Sequence, residues 1–186
     1  MPDYNRLRKA RETVIEMLND RDFSVAKLMK KKLSTKELQK EYKTNYLNLN
    51  TGEVETIFWD DKVNLSKIGK LIKKMKKTQP KLVILVFEYK LTSSQYNNIA
   101  QDFGDILFEV FLLKELQFNV TKHHMVPQHI LLNKKEVEEI YSAYGVNLPL
   151  ISNNDIISRY YGAKVDNIFK IIRPNNLYYR KVVNVI

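Results

Sequence analysis

Three histidines lie close together in the sequence and are the first side chains that could do chemistry. They are His123, His124 and His129. A zinc site built on imidazoles normally takes further Cys or carboxylate ligands at characteristic spacings. The chain has no cysteine, no carboxylate has such a spacing to the histidines, and Pro127 prevents a regular helix there. We therefore predict no metal site, and expect buried imidazoles that hydrogen-bond the backbone of an irregular segment.

A second candidate chemistry lies at the end of an apolar run, where Glu88 and Lys90 follow Leu82–Phe87. Asp60 or Asp61 stands upstream, after another predicted strand. An acidic residue followed by Glu-x-Lys at a strand end is how restriction-type nucleases hold magnesium and activate water. A glutamate and a lysine at a strand end are also common at a solvated sheet edge. A magnesium-dependent nuclease using Asp60 or Asp61, Glu88 and Lys90 is therefore kept as the alternative function.

Composition limits the remaining classes of protein. The chain has 186 residues and a hydrophobic fraction of 44%, which fits one globular domain or two small ones. The absence of cysteine excludes disulfides and a cysteine nucleophile. There is no glycine-rich phosphate loop, Gly-x-Ser-x-Gly turn or kinase signature, no apolar run of membrane-spanning length and no apolar signal core. We expect a soluble intracellular protein without a cofactor or an active site of its own.

The charge balance favours anionic partners. The formal net charge is +10 and the sequence pI is about 9.5, and such a protein attracts polyanions. The predicted helix that follows Ser66 concentrates this charge, with apolar residues on one face and lysines on the other. The lysines are Lys67, Lys70, Lys73, Lys74, Lys76 and Lys77. Two interpretations stay open, a surface that follows DNA phosphates and an ordinary solvated helix face.

The pattern of the front of the chain predicts helices that alternate with strands. The predicted helices are a first helix from Leu7 that Asn19–Asp22 ends, a second that begins near Ser34 with Glu37 as its capping partner, the basic helix, and one from about Ser93 to Phe103. The predicted strands are Val54–Trp59, Leu82–Phe87 and Ile106–Phe111. Strands that alternate with helices predict a small α/β layered domain, which we assign to residues 1–116.

The pattern changes after about Leu116, and residues 117–186 predict a compact α+β domain. Three of the five prolines fall in this part and mark irregular connections. The predicted helices are a segment from an Asn133 cap to Tyr144 and a shorter one at Asn154–Tyr161. The strands Ile168–Arg173 and Tyr178–Val185 are predicted to pair around a tight turn at Pro174.

Landmarks in the last third follow a fixed order. They are the run His123–Leu132, then Arg159-Tyr160-Tyr161-Gly162, then Lys170-Ile171-Ile172-Arg173-Pro174, and finally Tyr179-Arg180. This order resembles the C-terminal assembly domain of the subunit 5 family of multisubunit DNA-dependent RNA polymerases, whose archaeal relative consists of this domain alone. Leu7–Phe23, with its Asp-Arg-x-aromatic ending, looks like the opening helix of the same family.

The resemblance implies a fold and a set of contact residues. It implies an N-terminal jaw domain with restriction-endonuclease-like layers and a C-terminal domain that docks onto the largest polymerase subunit. The implied interface residues are His129, Arg159, Tyr160, Tyr161, Gly162, Lys170, Arg173, Pro174, Tyr179 and Arg180. The implied DNA-proximal residues are Lys90, Thr92, Ser93 and Ser94, in a turn where the family has Thr-Pro-Ser-Ala and this chain has serine in place of proline.

The function implied by the resemblance is architectural. The protein would be a non-catalytic subunit that supports assembly with the largest and other core subunits and contacts downstream duplex DNA without reading its sequence. Its location would be the nucleus for a cellular eukaryotic source, and the host cytoplasm or the virion for a large DNA virus. Two turns depart from the family, at Lys164–Asn167 and Asn175–Leu177, and we expect both to adjust the docking surface. A free-standing basic adaptor with the same fold is a third hypothesis.

Overall fold

The computed structural model describes residues 3–30, 33–41, 46–59 and 64–184. The chain divides into two compact units, Met1–Phe118 and Asn119–Ile186. Both contain sheets and helices, so the predicted mixed α/β organisation is confirmed. Within the described ranges, no helix combines the length and the apolar character that crossing a membrane requires.

A four-stranded sheet forms the centre of the first unit. Its strands are β1 (Tyr46–Asn50), β2 (Val54–Trp59), β3 (Leu82–Phe87) and β4 (Phe108–Leu112), in that order across the sheet. β2, β3 and β4 are parallel, and β1 is antiparallel to β2. All six residues of β3 are buried, because helices cover both faces of a parallel sheet and a strand inside it carries a continuous apolar run.

The α-helices found among the described residues of this unit are α1 (Tyr4–Asp20), α2 (Ala26–Lys30), α3 (Thr35–Glu41), α4 (Leu65–Thr78) and α5 (Ser93–Phe103). α4 and α5 cover one face, where Ile72 and Phe103 pack in one cluster with Leu85 and Phe87 of β3. Each joins two neighbouring parallel strands, so right-handed crossovers place both on the same side. α5 has the predicted limits because Thr92 and Gln95 form a reciprocal capping box.

Two ion pairs place α1 along the other face of the sheet. Arg6 near its start contacts Glu88 just after β3, and Arg21 at its end contacts Glu109 in β4. Glu109 is paired in register with Ile84, and side chains paired in register point to the same face of the sheet. Ile84 alternates with the Val83 and Leu85 side chains that face α4 and α5, so Glu109 and α1 lie on the opposite face.

A second four-stranded sheet organises the second unit. Its strands are β5 (Gln128–Leu131), β6 (Leu150–Ser152), β7 (Ile168–Arg173) and β8 (Asn176–Val183), in the order β5-β7-β8-β6. The helices of this unit are α6 (Lys134–Tyr144) and α7 (Ile156–Tyr160). α6 begins and ends where its asparagine cap and Gly145 predict, and β7 has its predicted limits.

Several sequence-based limits were wrong, each for a local physical reason. β1, β5 and β6 were not predicted, because short strands are specified mainly by the strands they pair with. β4 begins at Phe108 rather than Ile106, whose N–H donates to Phe103 O at the end of α5. α7 begins after Asp155 rather than at Asn154, since the Asp155 carboxylate accepts the Ile157 N–H at 2.8 Å.

Candidate functional site

The strand register divides the landmark residues of the second unit between two sheet faces. One face carries Phe169, Ile171 and Val182, which form the core cluster of this unit with Ile151 and Ile157. The other face carries a row that crosses three strands, in which Ile130 is paired with Lys170 and Lys170 with Tyr179. The next row on this face, toward the hairpin turn, is Gln128, Ile172 and Leu177. The first face carries the core cluster and is called the internal face. The second is called the external face, and its Ile168 is also buried.

Two of the predicted interface residues support the fold from within. Tyr160 is 2% exposed, and its hydroxyl oxygen accepts a hydrogen bond from Asn119 Nδ2 at 2.8 Å. Gly162 follows α7 with φ of 62°, in the left-handed region that ends a helix at least cost when the residue is glycine. The ring of Tyr161 is 5.8 Å from that of Phe169, and the Tyr161 side chain is only partly exposed. Tyr160 and Gly162 therefore have structural roles within the unit.

His129 lies in β5 on the internal face and is half-buried. Its Nδ1–H donates to Pro127 O at 2.7 Å, and its ring makes an edge contact with Phe169. Burial lowers the pKa of His129, and the charges of Arg180 and Arg173 lower it further, against the raising effects of the Pro127 hydrogen bond and of Asp155. The side chain is therefore a neutral imidazole held by backbone at neutral pH, in agreement with the prediction for this histidine.

The other two histidines differ from their prediction. His123 and His124 are exposed rather than buried, and their rings stack at 4.6 Å. His123 Nδ1 accepts a hydrogen bond from Met125 N at 3.3 Å. No group of three metal-ligating side chains occurs in the part of the chain that the structure describes.

The β7–β8 hairpin presents the predicted residues that a partner can reach. Arg173, Pro174 and Arg180 are exposed, and the Arg173 guanidinium lies 5.4 Å from the centre of the Tyr178 ring. This cation–π contact orients an arginine at the surface without burying its charge. Arg159 in α7 and Lys170 and Tyr179 on the external face are partly exposed.

Apolar side chains that sequence reasoning missed surround Lys170 and Tyr179. Leu150 and Leu177 are 58% and 54% exposed, and Ile130 is 36% exposed, all on the external face by register. Tyr144 of α6, 65% exposed, packs beside them with its ring 5.4 Å from that of Tyr179. Grouped apolar side chains exposed on a sheet indicate a protein-binding surface. The alternation along β8 could have indicated Leu177 and Tyr179, but β5 and β6, which carry Ile130 and Leu150, were not predicted.

The predicted DNA-proximal residues form the start of α5. The Thr92 hydroxyl oxygen accepts the Gln95 N–H at 3.2 Å, so Thr92 is the helix cap. Ser93 and Ser94 are the first residues of the helix, and both are exposed together with Lys90. Their backbone N–H groups have no acceptor within the helix, as at every helix start. The arrangement presents donors and one cation at the edge of the sheet.

Of the proposed nuclease residues, the structure describes Glu88 and Lys90. Glu88 Oε1 accepts a hydrogen bond from Arg6 Nη1 at 2.7 Å, so a guanidinium already occupies the position next to this carboxylate. Lys90 is exposed at the following turn. Asp60 and Asp61 lie outside the residues that the structure describes. The geometry around Glu88 is that of a structural ion pair.

Comparisons with known proteins agree with the landmarks. Residues 118–183 match the family described as RNA polymerase Rpb5, C-terminal domain. The chain is 33% identical over 184 residues to the DNA-directed RNA polymerases I, II, and III subunit rpabc1 of Dictyostelium discoideum, covering 94% of this chain and 93% of the relative. It is 27% identical over 189 residues to the corresponding subunit RPABC1 of Caenorhabditis elegans, covering 91% and 90%.

An archaeal relative matches only part of this chain. DNA-directed RNA polymerase subunit Rpo5 of Methanothrix thermoacetophila is 37% identical over 76 residues, which cover 37% of this chain and 97% of the relative. The fold and the matches together define an accessory subunit of a multisubunit DNA-directed RNA polymerase, with a role in transcription. The chain belongs to the subunit 5 family of these polymerases.

Proposed function

We propose that this subunit supports polymerase assembly by docking its second unit, residues 117–186, onto the largest subunit and other core subunits. The observation that carries the proposal is the β7–β8 hairpin, which exposes Arg173, Pro174 and Arg180 while Phe169, Ile171 and Val182 of the same strands pack in the core. A rigid strand pair holds these side chains in place before binding, which lowers the entropy that association costs. Arginine and tyrosine are the side chains most enriched among residues that dominate binding energy.

The external sheet face is the second part of the proposed interface. Ile130, Leu150 and Leu177 supply exposed apolar area around Lys170 and Tyr179. An apolar centre with a rim of Arg and Lys is the usual anatomy of a stable protein interface. We assign the occupant as a polymerase subunit because proteins similar to this chain over nearly its whole length are polymerase subunits.

The assembly proposal is tested by co-purification with the tagged largest subunit. We expect Arg173→Glu to weaken incorporation at least about tenfold, because a reversed charge at a dominant contact costs more than about 1.4 kcal/mol. Arg159→Ala should weaken it as well, and Leu177→Asp should do so through the external face. Lys135→Glu, an equal charge reversal at an exposed position of α6, is the matched control. Circular dichroism should show that each isolated variant is folded.

The outcomes separate assembly from other functions. Normal incorporation of both Arg173→Glu and Arg159→Ala would refute the interface assignment. Absence of the wild-type protein from the purified polymerase would favour the free-standing basic adaptor. Equal loss of incorporation in Lys135→Glu would show that net charge, rather than the hairpin, determines binding.

The first unit, residues 1–116, is proposed to act as a jaw with restriction-endonuclease-like layers that contacts downstream duplex DNA. Lys90, Ser93 and Ser94 support this, since exposed hydroxyls, a cation and backbone N–H groups suit phosphate contact without sequence readout. In an assembled polymerase, photocrosslinking from position 94 should label DNA ahead of the active centre. Labelling of protein alone would contradict this part of the proposal.

The proposed location depends on the source of the chain. The relatives named as subunits of polymerases I, II and III come from eukaryotes, so a cellular source implies the nucleus. The abundance of lysine and asparagine, with the two altered turns, fits a large DNA virus that encodes its own polymerase. A viral source implies the host cytoplasm or the virion.

A further inference from the structure

The positive charge of this protein is concentrated in one helix and its flanks. Residues 62–87 contain eight lysines and no arginine, aspartate or glutamate, so this segment contributes +8 − 0 = +8 to the formal net charge of +10. α4 lies in this segment, and its lysines at positions 67, 70, 73, 74, 76 and 77 are all exposed. A solvated helix face normally mixes both signs of charge, because lysine neighbours one turn apart repel. α4 has no acidic side chain that would offset this repulsion.

Four of these residues form a straight line, which we call the lysine stripe: Lys67, Lys70, Lys74 and Lys77. At about 100° per residue they fall within an arc of about 80°, and at 1.5 Å per residue the stripe is about 15 Å long. Ile68, Ile72 and Met75 are buried and face the sheet. The stripe lies on the side of the helix opposite these three residues. In the described part of the chain, none of its members is in an ion pair with a carboxylate.

The topology places the start of the stripe at the sheet edge that also carries the α5 turn. β2 and β3 are parallel, and α4 follows the end of β2 as α5 follows the end of β3. Both helices therefore begin at the same edge, and they pack against each other. Lys67 thus lies at the edge where Lys90 and Ser94 are exposed. From there the stripe continues along the outside of the unit, away from that edge.

We propose that the lysine stripe is a second, sequence-independent contact surface for the phosphates of duplex DNA. Duplex DNA carries one charge per about 1.7 Å of its axis with both strands counted, so about 15 Å of duplex has about nine phosphates, and those on the near side can each meet a lysine. Lysine is a point charge that needs no fixed orientation of its partner, which suits a duplex that slides. The choice of duplex DNA rests on the proposed jaw function, and the stripe extends that contact beyond the α5 turn.

The test measures the salt dependence of binding. The full chain is titrated with a fluorescent 40-base-pair duplex of random sequence at several salt concentrations. The stripe variant replaces Lys67, Lys70, Lys74 and Lys77 with glutamine, which has a similar helix propensity. The matched control replaces four exposed lysines elsewhere with glutamine, namely Lys27, Lys30, Lys114 and Lys135, and so removes the same charge.

Loss of four phosphate contacts should flatten the slope of log affinity against log salt by up to about 3.6. Over a fourfold rise in salt, wild type should then lose up to about 150-fold more affinity than the stripe variant. We expect the control to keep most of the wild-type slope. Equal flattening in the control would refute the proposal, because net charge alone would explain binding. An unchanged slope in the stripe variant would refute it too.

A further arm uses a poly-glutamate peptide. Loss of peptide binding with intact duplex binding in the stripe variant would assign the surface to an acidic protein segment and overturn the proposal. Failure of the subunit assignment would appear elsewhere, in the co-purification of Arg173→Glu, which does not depend on the stripe.

Discussion

The ion pair between Arg21 and Glu109 should stabilise the first unit far more than an exposed pair does. Arg21 Nη1 and Nη2 donate to the two Glu109 carboxylate oxygens at 3.1 and 2.9 Å, and Nη2 also lies 3.7 Å from Met17 Sδ. The side chains are 6% and 24% exposed. Two parallel hydrogen bonds to a carboxylate fix both distance and direction. The pair joins the end of α1 to β4 across 88 residues of sequence.

The magnitude follows from burial and geometry. Two unit charges about 4 Å apart attract by about 4 kcal/mol at an effective dielectric constant of about 20. Partial desolvation of both groups offsets roughly half of this, which leaves a coupling free energy of about 2 kcal/mol. The Arg8–Glu12 pair on the same helix is 37% and 42% exposed and should contribute only about 0.3–0.5 kcal/mol. The two pairs therefore make a controlled comparison.

A double-mutant cycle measures both coupling energies. Arg21→Ala, Glu109→Ala and the double variant are unfolded in urea, as are the equivalent variants of Arg8 and Glu12. Trp59 is the single tryptophan and is buried in the first unit, so its fluorescence reports unfolding of that unit. Either single variant of the buried pair should lower the urea midpoint by about 1 M, for a slope of about 2 kcal/mol per M.

The comparison with the exposed pair decides the outcome. A coupling energy for Arg21 and Glu109 no larger than that of the exposed pair would refute the argument from burial. Unchanged stability in both single variants would also contradict it, because each of them leaves one largely buried charge without its partner.

Two further predictions concern groups that the sequence singled out. Burial lowers the pKa of His129 in the folded state below the unfolded value of 6.5, so the unfolded state binds a proton first as the pH falls. The stability of the second unit should therefore be full above pH 6.5 and decrease as the pH falls from there toward the folded pKa. Pulse proteolysis mapped to residues 119–186 should show this decrease in wild type and less of it in His129→Asn, and an equal decrease in both would contradict it. Glu88→Gln should cost at most about 1 kcal/mol, as for a part-exposed ion pair with Arg6, and should leave incorporation into polymerase unchanged. Magnesium-dependent DNA cleavage that disappears in Glu88→Gln would instead support the nuclease hypothesis.

Elements with strong local signals were predictable to the residue. β3 is a six-residue apolar run, and its limits follow from the polar residues and the proline that flank it. α5 starts where Thr92 and Gln95 cap it, and α6 where Asn133 and Glu136 do the same. These signals lie within a few residues of the element they define, so no tertiary information is needed. Family membership was equally accessible, because the landmark residues keep their order along the chain.

Strands without such signals depended on their partners. The sequence around β1 shows no clear alternation of apolar and polar residues. The strand is defined by its pairing with β2 across the turn at Gly52, which has φ of 92°. β5 contains His129 and lies next to Pro127, which predicts an irregular segment. The strand forms because it pairs with β7. A short strand gains its stability from cross-strand contacts, which cannot be read from the strand alone.

The sequence by itself determined which residues matter in this protein, and the tertiary structure decided what each of them does. The landmark residues include both Tyr160 and Arg173, and the sequence does not distinguish their roles. In the fold, Tyr160 is buried against Asn119 and Arg173 is exposed on a hairpin. Glu88 resembled a metal ligand until the fold brought Arg6 to it across 82 residues. Burial and long-range ion pairs arise from packing between distant segments, and for that reason only the folded chain separates a supporting residue from a contacting one.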